Sequence, residues 1–174
     1  MVLQDSKKGK GLIRANSRKG VGDRKATRVE ARTGRLSEPS ACEECGAIFS
    51  RRVWRRNRAV TAAILDRATW TRCPACTQVG RDEYWGCVVI RGKYAAHNEA
   101  SIRRRIANVD ARAQLGQPQR RVVSAERDSA GFEVLTTSQK LAHRIAHELK
   151  KAFQGRVRYQ WSDDGSLFAV WERN

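Results

Sequence analysis

Four of the five cysteines fall into two Cys-x-x-Cys pairs, Cys42/Cys45 and Cys73/Cys76, with 27 residues between the pairs. Two such pairs in one short segment can bring four thiolates to a single tetrahedral centre, the arrangement structural Zn²⁺ takes, and a shell filled by sulfur leaves no open position for a catalytic water. Gly46, just past the first pair, can take the positive φ of a metal turn, and Pro74 inside the second fixes φ and removes a competing N–H. The spacing predicts one structural Zn²⁺ per chain on Cys42, Cys45, Cys73 and Cys76. An iron–sulfur cluster and a redox pair are the competing uses of such thiols. A thioredoxin-type pair usually stands alone at a helix start, whereas here two pairs face each other across an insert. Cys87 lies eleven residues beyond the second pair inside an apolar run and reads as a small core residue. His143 and His147 have helical i, i+4 spacing but no Glu between them in the zincin manner, so they read as a solvated basic face; His97 has no evident partner.

The other chemistry-bearing residues are cations. Lys and Arg number 35 against 18 acids, a formal +17, and the excess is spread along the whole chain. A field of that size attracts polyanions. Arg51, Arg52, Arg55, Arg56 and Arg58 crowd the insert between the cysteine pairs, where guanidinium forks suit phosphate oxygens. Arg103, Arg104 and Arg105 form a second cluster, and Lys7, Lys8, Lys10, Arg14, Arg18 and Lys19 a third. These are the candidate nucleic-acid contacts. No Ser/His/Asp set, phosphate-cradling glycine loop or paired carboxylates can be assembled, so the chain reads as a binding protein and not an enzyme, with no small-molecule substrate evident.

The elements that must position these groups follow from periodicity and turn chemistry. Residues 1–37 read as a disordered basic arm, glycine-punctuated and too poor in large apolar residues to offset chain entropy. Residues 38–82 read as a zinc-ribbon-like module, its long insert a helix over 51–65 with Val53, Trp54, Val60, Thr61, Ile64 and Leu65 on one side and the arginines elsewhere. Trp54 on that stripe is read as core. Residues 83–174 predict an α+β domain: a strand at 84–91, a helix over 98–113, strands at 121–127 and 131–135, a helix opened by a Thr136-x-x-Gln139 capping box and carrying Leu141, Ile145, Leu149 and Phe153, then a hairpin turning at Asp163-Asp-Gly165. That order, β-α-β-β-α-β-β, is the ferredoxin-like sequence of elements with one strand added, a fold that leaves one sheet face open. No apolar run approaches the length of a membrane span and no signal peptide is evident, which predicts a soluble cytoplasmic protein in a compartment that keeps thiols reduced.

The paired knuckles, the Val88-Val-Ile-Arg91 strand after them and the run from Gly131 to Lys150 together resemble the zinc-knuckle export adaptors of the large ribosomal subunit named after nonsense-mediated decay, with their archaeal relatives. The similarity spans about residues 40–172. It implies zinc on the four matched cysteines and binding to the large subunit through rRNA. The chain has no room for the further domains and export tail of the eukaryotic members, so association with the ribosome or rRNA is what the resemblance implies, not export. The competing reading is a zinc-bearing DNA-binding or transcription-associated protein, which the same module and arm would also suit.

Overall fold

The computed structural model describes residues 36–56, 60–128 and 131–174. The predicted basic arm lies outside these apart from its last two residues. Two sheets organise the rest.

The first sheet has the order β3-β2-β1-β4, built from β1 (Ser40–Cys42), β2 (Ile48–Ser50), β3 (Val53–Arg55) and β4 (Thr69–Thr71). β1–β2 and β2–β3 are antiparallel, and β1–β4 is parallel. One turn of helix, α1 (Ala62–Leu65), precedes β4, and α2 (Pro74–Gly80) follows it. Among the described residues of 51–65, the predicted helix is therefore replaced by a hairpin strand and that single turn. Val53 and Trp54 are neighbours on a helical wheel, but a strand sends them to opposite faces: Trp54 is buried against Phe49 and the cysteines, while Val53 stays exposed. The aromatic cross-strand pair Phe49↔Trp54 and the small core offered by the cysteine cluster favour the strand, a tertiary preference that local periodicity does not encode. The connecting turn is unusual, since Arg51 (φ 50°) and Arg52 (φ 62°) both sit in the left-handed region. Their backbone N–H groups donate to the two carboxylate oxygens of Glu38 at 2.8 and 2.9 Å, which holds the turn.

The second sheet contains β5 (Gly86–Arg91), β6 (Val122–Asp128), β7 (Gly131–Thr136), β8 (Arg156–Trp161) and β9 (Leu167–Glu172) in the order β6-β7-β5-β9-β8. The short α3 (Lys93–His97) and the long α4 (Glu99–Gly116) link β5 to β6, and α5 (Gln139–Phe153) links β7 to β8. Both long helices cover one face. Ile102, Ile106 and Val109 from α4 and Leu141, Ile145 and Leu149 from α5 meet Val88, Ile90, Phe132, Val134 and Trp171 in a single core. Gly86 allows the close approach of α5, because a Cβ there would lie 2.5 Å from the Ala142 Cβ.

The α+β class is as predicted, and so is the element order of 83–174 apart from the short α3, while the strand placement differs from a ferredoxin-like sheet. There the strand after the second helix would lie antiparallel beside the first; here β9 takes that place, parallel to β5, and β8 moves to the outer edge. Burial accounts for the exchange. Leu167, Ala169 and Trp171 of β9 are fully enclosed, whereas β8 is polar or half-exposed along its length, as an edge strand should be. The α5 cap also differs by two residues: Ser138 accepts from the Leu141 N–H at 3.3 Å, and the Thr136 hydroxyl instead donates to the carbonyls of Gly86 and Ser138. The sheet face away from the helices is not an open polar platform. Cys87, Leu135 and Phe168 are buried there, with Tyr84, Val89, Val123 and Val170 packed around them.

Candidate metal centre and the basic groove beside it

Cys42 ends β1 and Cys45 sits in the turn that Gly46 closes at φ 67°, its N–H donating to the Cys42 carbonyl at 2.9 Å. The second pair is placed differently from a ribbon's second knuckle. Cys73 is the residue before α2, Pro74 occupies its first position, and Cys76 lies in its first turn. Proline's fixed φ starts a helix at this point, where a ribbon would turn back as a hairpin.

The four sulfurs lie within 4.8 Å of one another, and no other group of this kind occurs among the described residues. Cys42 Sγ is 3.7 Å from Cys76 Sγ, and Cys45 Sγ is 3.8 Å from Cys73 Sγ. A zinc tetrahedron with Zn–S bonds of roughly 2.3 Å has edges of about 3.8 Å, so the donor set fits that ion, whereas a disulfide needs roughly 2.05 Å. All five cysteines are free thiols. The Cys73 N–H donates to Cys42 Sγ at 3.3 Å, a bond that favours the thiolate. Burial pushes the Cys42 thiol up, but N–H donation from Cys73, Cys45 and Glu44 outweighs it and brings the group down to about 7. Burial raises Cys73 to about 11 and Cys76 further still. Cys87 is buried in the apolar cluster on the far side of the second sheet, outside the four-cysteine group. His143 and His147 are both exposed, and the His143 ring stacks on Tyr159.

Sequence reasoning missed Arg121. At the start of β6, this residue places Nη1 3.3 Å from Cys76 Sγ and Nη2 3.9 Å from Cys73 Sγ, while its Nε donates to the Pro118 carbonyl at 2.9 Å. Burial alone would lower its pKa; the thiolates of Cys45 and Cys76 raise it instead. The α+β domain thus supplies a cation to the sulfur cluster. A second link runs from Arg56, which donates to the Cys45 carbonyl at 3.2 Å and to Gln114 Oε1 on α4 at 2.7 Å. Gln114 in turn donates to Asp110, whose other oxygen accepts the Val122 N–H at 3.0 Å. Gln78 of α2 completes the junction by donating to the Thr137 carbonyl. The only sequence hint of this arrangement was the Arg120-Arg121 pair opening a strand.

Beside the junction lies a groove of about 810 Å³ between β3 and α2 on one side and the end of α4 and the start of α5 on the other. Arg55, Arg56, Arg120 and Lys140 line it with Val53 and Leu115, and no carboxylate is among the described residues of its walls. Of the predicted contacts, Arg55 and Arg56 reach this groove, Arg51 and Arg52 form the exposed hairpin tip, and Arg58 lies outside the described residues. The α4 cluster divides. Arg103 donates to Glu99 and to the Ala125 carbonyl and lies over the Phe132 ring, Arg105 pairs with Glu148, and Arg104 is exposed. Two of the three are engaged inside the domain. Lys7, Lys8, Lys10, Arg14, Arg18 and Lys19 lie outside the described residues.

No helix among the described residues is long and apolar enough to cross a membrane. Neither a model of a known protein family nor a curated protein matches the chain.

Proposed function

We propose that this chain is a zinc-bearing RNA-binding protein that associates with the ribosome or with rRNA, and that it acts without catalysis of its own. Zn²⁺ on Cys42, Cys45, Cys73 and Cys76 would supply folding energy to a module too small to hold itself together by apolar burial. The observation that carries the reading is the groove in which Arg55 and Arg56 from the metal module face Arg120 and Lys140 from the α+β domain, with no acid among its described residues. Holding the cysteine cluster against Arg121 and Gln114 keeps those cations in one place, as directional phosphate pairing requires. The formal +17 supplies long-range attraction, and the resemblance of the knuckles and the Gly131–Lys150 run to ribosomal export adaptors points to rRNA among polyanions.

The test separates shaped recognition from plain charge. Any chain this basic adheres to nucleic acid at low salt, with log K falling by about 0.7–0.9 per phosphate contact per decade of salt. Arg55 and Arg120 are replaced together by lysine, which keeps the charge, loses the fork and leaves the Arg56 link to Cys45 and Gln114 in place. Co-sedimentation with ribosomal subunits at about 0.15 M salt should be lost, with affinity for random-sequence RNA little changed. A lysine variant that sediments with subunits as the parent does would overturn the reading, and a parent that prefers duplex DNA to any RNA would support the transcription-associated alternative.

A further inference from the structure

Lys140, in the first turn of α5, is the farthest residue along that helix to line the groove. The α5 helix hands over to β8 through a two-residue link, Gln154–Gly155, and β8 runs back along it at the edge of the sheet. Partway along, His143 stacks on Tyr159, with ring centroids 4.8 Å apart and planes 23° from parallel. Two residues farther on, Trp161 faces the same side as Tyr159, since their ladder partners Ala169 and Leu167 both point into the core under the helices. Two strand residues advance about 6.6 Å, close to the rise of one helical turn, which brings Trp161 level with the first turn of α5, where Lys140 lines the groove. Trp161 is 57% exposed and Tyr159 39%. An indole so open on an edge strand contributes little to the domain's own core.

We infer that Trp161 and the Tyr159–His143 stack form a base-stacking surface for a single-stranded stretch of nucleic acid whose phosphates enter the groove at Arg120 and Lys140. Ring faces spaced along a cationic track are how single strands are held without sequence readout. Charge complementarity favours this occupant over an apolar protein surface. Lys140 and His147 flank His143 at helical neighbour positions, and none of the described residues that line the groove is acidic. The nearest acids in sequence, Asp163 and Asp164, belong to the turn after Trp161, where Asp164 accepts from Ser166.

This inference rests on the RNA-binding reading, and its test tells the two apart. Fluorescence anisotropy would follow labelled oligouridine and a labelled RNA duplex across a salt series. Trp161→Ala should weaken oligouridine binding by roughly 5- to 150-fold, leaving the slope of log K against log salt and the duplex affinity unchanged. Trp161→Phe should restore most of the loss, and Lys140→Gln should weaken both ligands and flatten the slope by about 0.7. An unchanged thermal transition for Trp161→Ala would exclude a folding artefact. A variant that holds oligouridine as the parent does, or loses duplex equally, overturns the stacking surface alone, as does a parent that binds duplex but not oligouridine. A parent with no affinity for either RNA overturns the functional reading and the stacking surface with it.

Discussion

Replacing Arg121 by glutamine should loosen the metal without touching a ligand. A four-thiolate zinc centre carries a formal charge near −2, and Arg121 is the cation whose Nη1 lies 3.3 Å from Cys76 Sγ. Hydrogen bonds to charged groups contribute about 1.5–3 kcal/mol, and each ~1.4 kcal/mol is tenfold in affinity, which gives roughly 10- to 150-fold. The second contact, Nη2 to Cys73 at 3.9 Å, is at the limit of bonding to sulfur and adds little. Measured effects of groups that support metal ligands from outside the coordination shell, about 10- to 100-fold, fall in the same range. The substitution also leaves the Pro118 carbonyl without its 2.9 Å donor, but that cost falls on the metal-free and metal-bound protein alike and cancels from the binding constant. Competition against a chromophoric zinc chelator of known affinity is the assay. Arg121→Lys should fall between parent and glutamine variant, because an ammonium keeps the charge but cannot span two sulfurs. Arg120→Gln, one residue away in the groove, should leave zinc affinity unaltered. An Arg121→Gln protein that holds zinc within twofold of the parent would refute the electrostatic link between domain and cluster.

Acid should release the metal steeply. Burial raises Cys73 to about 11 and Cys76 further, and thiols in an unfolded module also titrate above neutral pH, so either way both carry protons that binding must expel; affinity therefore falls as pH falls, by at least about a hundredfold per unit, and a titration with slope below two would contradict this. The Arg51-Arg52 turn offers a gain. Asn-Gly suits two consecutive left-handed positions far better, so Arg51→Asn with Arg52→Gly should stabilise the zinc-loaded module by about 1 kcal/mol in chemical denaturation, and a loss of stability would show that the turn is not strained.

How far the sequence could be read depended on whether a feature was local. The cysteine cluster was legible because ligand type and spacing are covalent facts, and α5 because Leu141, Ile145 and Leu149 repeat along fifteen residues. The β2–β3 hairpin was not, since its turn holds two arginines where glycine or asparagine would announce it, and its compensation comes from Glu38, thirteen residues upstream of Arg51. Arg121 and Lys140 were passed over for a similar reason. Apart from the Arg120-Arg121 doublet nothing adjacent to either marks it as special, and each takes its role from an element distant in the chain. The arginines of α4 show the reverse error, in which a dense local cluster suggested an outward surface while Glu99 and Glu148 were waiting in the fold for two of its members.

The position of β9 bears on how the domain comes to exist at all. β5 is flanked by β7 on one side and β9 on the other, and the β9 ladder joins Gly86 to Leu167 across nearly the whole domain. Closing so long a loop carries a large entropic cost before any contact offsets it, so the parallel β5–β9 pairing should be late and slow, and the helices should dock first on a half-built sheet. Until then the backbone N–H and C=O groups of Cys87-Val-Val-Ile90 stand open on one edge, in an apolar, β-branched run. A chain cut directly after α5 would therefore keep the two long helices of the domain and its three-stranded ribbon of β5, β6 and β7 yet present that edge permanently, and aggregation is its expected fate, not a smaller soluble domain.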